Sequence, residues 1–207
     1  MDLTTWATFV AASAALLLIP GPTVLLVLSY ALSKGRTVAV ASAAGVATGD
    51  FIAMTASLAG LGALVAASAT LFTLLKWAGA VYLVWLGIRL VRSAPAKGMI
   101  LPDSPDVRAR GVYLHNATVT ALNPKSIAFF VAFVPQFVNV DAALWPQFAV
   151  LIATFVTLAT LNALTYALAA ARLRRWITRP DALTWLTRAG GASLIGMGAL
   201  TATLRRV

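Results

Sequence analysis

Residues 3 to 33 read LTTWATFVAASAALLLIPGPTVLLVLSYALS, and none of them carries a charge. A bilayer core of about 30 Å needs about 20 helical residues to cross it, so this stretch is long enough to span with residues to spare. It is too long for the apolar part of a secretory signal. The basic segment such a signal needs is also missing, Asp2 being the only charge before Lys34. The stretch is therefore expected to persist as a first membrane span, interrupted near its middle by Pro20-Gly21-Pro22.

The rest of the chain agrees with that start. Of 207 residues, 60% are hydrophobic and 11% charged, against about 45–50% and about 25% in soluble domains. Glutamate is absent altogether. This balance excludes a soluble globular domain, and it also excludes disorder, which requires the opposite composition. Apolar runs near 4–33, 38–67, 70–92, 112–138, 144–171 and 186–204 predict an all-α polytopic membrane protein of about six spans. The stretch 93–111 holds three prolines and five charges and is the one substantial loop.

A net charge of +10 would suggest nucleic acid in a soluble protein. In a membrane protein it reflects cytoplasmic loops instead, and no nucleic acid is expected. Alternating spans place Lys34, Arg36, Arg89, Arg92, Lys97, Arg108, Arg110, Arg172, Arg174, Arg175, Arg179 and Arg188 on one side, which is 12 of the 16 basic residues. That side, including 93–111, is expected in the cytoplasm, with both termini outside. Arg205 and Arg206 run against this assignment. With no cysteine and one histidine, His115, the chain has neither disulfides nor a thiolate or His-rich metal site, and no cofactor is expected.

The two halves echo each other. Ala78, Gly79, Leu83 and Gly87 recur as Ala189, Gly190, Leu194 and Gly198 with one constant offset, and Pro20-Gly21-Pro22 in the first span is answered by Asn123-Pro124-Lys125 in the fourth. Three spans per half is an odd number, so the repeats would be inverted, as in many secondary transporters. The expected organisation is one transmembrane domain over 1–207, with repeats at 1–92 and 112–207 and spans one and four broken at proline.

Those breaks carry the first functional signal. Pro20 and Pro22 lack an N–H and so free the carbonyls of Leu16 and Leu18, while Pro124 frees that of Thr120. Irregular backbone at this depth survives only where protein or a wet cavity covers it. Half-helix ends can hold a carboxylate at one terminus and a cation at the other. Asp50 is the second signal, because an ionised carboxylate near the middle of a span costs about 2.5–3.5 kcal/mol. It is expected to meet a cationic substrate group or a carried proton, or else to form a structural ion pair with Lys125, the other mid-span charge. Gly45 and Gly49 stand four apart on the face next to it and favour close helix packing or space for a ligand. Asn162 and Tyr166 lie one turn apart on the fifth span and could face the same cavity.

Pro20-Gly21-Pro22, Gly45 to Gly49-Asp50, the run Lys76-Trp77-Ala78-Gly79-Ala80-Val81-Tyr82-Leu83 leading to Gly87, and Asn123-Pro124-Lys125 followed by Phe129-Phe130 and Pro135-Gln136-Phe137 resemble the LysE/RhtB family of amino-acid exporters. The resemblance implies an inner-membrane exporter of amino acids or close derivatives that exchanges them for a cation such as a proton. It leaves the cargo open, and a homodimer is allowed. The expected substrate-binding residues are Pro20, Gly21, Pro22, Gly49, Asp50, Asn123, Pro124, Lys125 and Asn162, with Asp50 also coupling the ion. Export of an inorganic cation is the alternative, though one carboxylate without cysteine is a poor divalent site. An intramembrane enzyme using Asp50 is less favoured still, for want of a second catalytic group.

In this cysteine-free chain, single cysteines at Asp2, Pro102 and Val207 should react with an impermeant thiol reagent from the cytoplasmic face at position 102 alone. Cytoplasmic labelling at 207 would break the six-span alternation.

Overall fold

In the computed structural model the chain is helix and short connections, with no strand among the described residues. The structure describes residues 1–18, 22–34, 36–92, 108–139, 142–177 and 180–203. The helices are α1 (Leu3–Leu18), α2 (Pro22–Lys34), α3 (Arg36–Ala67), α4 (Ala69–Arg92), α5 (Ala109–Ala121), α6 (Pro124–Ala132), α7 (Leu144–Ile177) and α8 (Pro180–Thr203). A short 3-10 helix, Val134–Phe137, follows α6.

Three of these are long and apolar enough to cross a membrane, over Thr37–Leu64, Thr73–Arg92 and Leu144–Ala170, and the number rises to five if each bent pair is one span. The first bent pair is α1 with α2, turned by 57°, and the second is α5 with the α6 segment, turned by 44°. The sixth expected segment, 186–204, corresponds to α8, which is not among those counted. Most of the 93–111 loop, together with Pro20 and Gly21, lies outside the described residues.

Local chemistry explains the helix ends. Asp2 caps α1, its carboxylate accepting the Thr5 N–H and the Thr5 hydroxyl at 2.8 Å each. The Thr5 backbone bond and then the hydroxyl hold the Asp2 carboxyl below its usual range. Asn123 caps α6, accepting the Lys125 N–H at 3.0 Å, and Pro124 occupies the first helical position, where a missing N–H costs nothing. Before α7, Gln147 clamps the connection, accepting the Asn139 N–H at 2.8 Å and donating to the carbonyls of Asn139 at 2.9 Å and Ala143 at 3.0 Å.

Two apolar clusters fill the interior. The larger is aromatic, with Phe129 stacked on Phe133 at 5.2 Å, Phe130 edge-on to Phe155 at 4.8 Å and Phe9 edge-on to Phe137 at 5.3 Å. The smaller joins Val24, Val27 and Leu28 of α2 to Ala39, Ala43 and Val46 of α3 and to Ala163, Tyr166, Ala167 and Ala170 of α7. Leu71, Leu74, Trp77, Val81, Trp85 and Ile88 point outward from α4, as an apolar solvent requires.

Small residues bring helices into backbone contact where side chains would keep them apart. A Cβ on Gly49 would lie 2.6 Å from both the Ala117 carbonyl and the Thr120 Cβ, so α3 and α5 run side by side and in the same direction. On α4, Gly87 faces the Gly191 carbonyl, and Gly198 of α8 faces Ala80 and Val84, which fixes an antiparallel seam. Gly79, whose repeat counterpart is Gly190, instead meets Ala132 of α6.

A side chain at Gly87 would approach the Gly191 carbonyl at 2.5 Å, whereas Gly60 has open space. Gly87→Ala should therefore destabilise the protein by about 1–3 kcal/mol in thermal unfolding in detergent. Gly60→Ala should leave stability unchanged or raise it by about 0.5–1 kcal/mol.

Candidate functional site

Where the two apolar clusters meet, both helix breaks open onto one cavity of about 40 Å³. Its wall includes Leu16 and Leu17 at the end of α1, Thr23 and Val24 at the start of α2, and Asn123, Lys125 and Ser126 at the start of α6. Asp50 and Val46 come from α3, and Ala159, Asn162, Ala163 and Tyr166 from α7. The space suffices for a few water molecules and is far below the roughly 300–1,000 Å³ of small-molecule pockets.

The end of α1 shows why these side chains are here. An interrupted helix leaves its last carbonyls without N–H partners, and no bulk water reaches them at this depth. Lys125 Nζ donates to the Leu16 carbonyl at 3.3 Å, Asn162 Nδ2 to that of Leu17 at 3.1 Å, and Tyr166 Oη to that of Leu18 at 3.5 Å. Three consecutive carbonyls are thus met by three side chains from α6 and α7. The Lys125 charge also lies at the negative end of the α1 dipole, where a cation is favoured. At the second break, the Thr120 carbonyl released by Pro124 accepts the Asn123 N–H at 3.1 Å.

A polar bridge ties the two breaks together. Asn123 Nδ2 donates to Thr23 Oγ1 at 3.3 Å, and the hydroxyls of Thr23 and Thr120 lie 3.4 Å apart. Asp50 stands apart from this network. It is 3% exposed and lines the cavity, yet among the described residues its carboxylate makes no hydrogen bond and no salt bridge within 4 Å. Lys125, the other charged group on the wall, acts on it electrostatically across the cavity.

Asp50, Asn123, Lys125 and Asn162 are gathered at one place from α3, α6 and α7. Gly49 turns toward α5 and acts as a spacer, while Pro22 and Pro124 open α2 and α6. Pro20 and Gly21 lie outside the described residues. Thr23, Thr120 and Ser126 escaped the sequence reading. Their signal was faint but present, since each is a small hydroxyl residue within four positions of a break proline.

Fold and site together define a multi-pass helical membrane protein with a central polar cavity at two helix breaks. The chain belongs to the LysE type translocator family, whose model matches residues 14–204. It is 35% identical to an uncharacterized membrane protein of Vibrio cholerae, over 99% of this chain and 100% of that one. It is also 35% identical to the homoserine/homoserine lactone efflux protein of Salmonella typhimurium, over 97% of each chain. A third relative, the leucine efflux protein of Klebsiella pneumoniae, is 30% identical over 65% of this chain and 64% of its own. No solved structure matches the chain.

Asn162→Leu should strand the Leu17 carbonyl in an apolar setting and destabilise the protein by about 1–3 kcal/mol. Asn162→Gln, which keeps the donor, should recover part of that loss in the same thermal unfolding measurement.

Proposed function

We propose that this chain exports amino acids or close derivatives across the inner membrane, in exchange for a proton and by alternating access. The observation that carries the proposal is the Asp50 carboxylate, buried on the wall of the cavity that it shares with Lys125. A carboxylate at that depth takes a cation or a proton, because leaving it ionised and alone is costly. An exporter supplies both in turn, the substrate ammonium on one leg of the cycle and the proton on the other.

The surroundings suit a zwitterion. Asp50 favours the ammonium, while the positive ends of α2 and α6, with Lys125 in the first turn of α6, favour the carboxylate. An amino-acid lactone keeps the ammonium and offers an ester carbonyl to the same N–H groups. With the single acid and single base of the described wall engaged by the substrate's two ends, Val24, Val27, Val46, Ala159 and Ala163 are left to face its side chain. They favour a short, uncharged one.

The cavity is too small for such a substrate as it stands, so the elements around it must part to admit one. Two inverted three-helix repeats would allow this by rocking. Their support is an exchange of contacts across the α4–α8 seam. Gly87 meets Gly191 and Gly198 meets Ala80, and the same offset separates 87 from 198 and 80 from 191. A local twofold relating antiparallel helices is what an inverted repeat requires. Six spans, both termini outside and the 93–111 loop in the cytoplasm complete the proposal.

Asp50→Asn should fold normally and lose about ten- to a hundredfold of its pH-gradient-driven efflux from liposomes, the equivalent of one charge-assisted hydrogen bond. Asp50→Asn with Lys125→Met should lose about 1–3 kcal/mol of stability with the Leu16 cap and remain inactive in the folded fraction, because both ends of the substrate have lost partners. Substantial efflux by that double variant would reject the two-ended clamp.

A further inference from the structure

Among the described residues, Ser13 Oγ, Ser42 Oγ, Thr55 Oγ1 and Asn116 Oδ1 are buried with no hydrogen-bond partner. The three hydroxyls have an easy partner within reach. A hydroxyl in a helix can donate to the carbonyl one turn back, and Thr8, Thr48, Thr160, Thr165 and Ser193 do so at 2.7 to 3.0 Å. Ser13, Ser42 and Thr55 forgo that bond. Asn116 uses its Nδ2 for the Val112 carbonyl at 3.0 Å and leaves its oxygen unmatched.

Their placement is ordered about Asp50. On α3, Ser42 lies eight residues before the carboxylate and Thr55 five after it, about 12 Å and about 8 Å away along the axis in opposite directions. Asn116 lies on the Ser42 side, because α5 runs parallel to α3 and Asn116 packs on Gly45 while Thr120 packs on Gly49. Ser13 lies on the Thr55 side, since Phe9 and Leu16 around it join the cluster of Met54, Leu58 and Leu61. Ser13 lies seven residues ahead of Pro20 and Asn116 eight ahead of Pro124, and each is fully buried.

We propose that these four oxygens mark two water-access paths to the cavity, Ser42 and Asn116 on one face of the membrane and Ser13 and Thr55 on the other. The inference rests on the alternating-access reading. A buried oxygen without a partner has given up water and gained nothing, so it disfavours the closed state and favours the state in which water reaches it. Set on both sides of one cavity, such groups draw water in from whichever face is open. They carry no charge and so hold no ion when that face is closed.

The chain has no cysteine, so single cysteines can be read without background. Ser13→Cys, Thr55→Cys, Ser42→Cys and Asn116→Cys, in proteoliposomes of known orientation, would be treated with a charged methanethiosulfonate from each face. The first pair should react from one face only and the second pair from the opposite face only. Each should react about tenfold faster than Met54→Cys, which sits in the aromatic cluster and requires general unfolding to be reached. Serine and cysteine are close in size, so Ser13 and Ser42 carry the test if the Asn116 variant fails to fold. Reaction of both pairs from the same face, or at the Met54→Cys rate, overturns the proposal even if Asp50-dependent efflux is present. Two-faced labelling in a protein that moves no amino acid would support the paths and remove the exporter.

Discussion

A peptide group inside a membrane has no water to turn to, and a helix that stops there leaves its last carbonyls and first amides exposed. Much of this architecture answers that constraint. Lys125, Asn162 and Tyr166 converge because α1 ends at Leu18, and Asn123, Thr23 and Thr120 converge because two helices restart within reach of each other. The cavity is the space these caps leave between two apolar clusters. Much of its polarity follows from helix ends, and Asp50 is the ionisable group on the wall that the constraint does not explain. Function is therefore best sought there.

Rigid and adjustable contacts divide along the same lines. The α3–α5 and α4–α8 pairs touch backbone to backbone at Gly49, Gly87 and Gly198, where an added methyl has no room. Contacts of that kind do not slide by small steps, because packed interiors deform poorly. The ties of α2 to α5, by contrast, are side-chain hydrogen bonds, Thr23 to Thr120 and Tyr30 to His115, the latter at 2.8 Å. Side-chain bonds can be exchanged for water at little cost.

The fold class was legible because hydropathy at this level leaves few alternatives, and the apolar runs matched the helices to within a few residues. The prolines drew attention to these places, since a proline in a membrane helix must free a carbonyl somewhere. What took those carbonyls was not legible. Lys125 and Leu16 lie 109 positions apart, and nothing local in the chain pairs them. Asn162 was singled out as a buried amide, but its task as a cap for Leu17 required knowing that α7 crosses the end of α1. The contact of Gly79 with Ala132 was hidden for a similar reason, since a small residue announces close approach without saying to what.

The caps on α1 also set an order of assembly. Leu16, Leu17 and Leu18 are made early, while the side chains that cover them arrive only as α6 and α7 are synthesised. During that interval the first half sits in the bilayer with an open helix end. It has the spans of a membrane protein and lacks the groups that make its interior dry. A ribosome stalled before Lys125 would present the cell with an inserted but unfinished chain, and quality-control proteases that sense exposed backbone would have a defined window in which to act. The end of α1 is thus completed by side chains that follow it by more than a hundred positions in the chain.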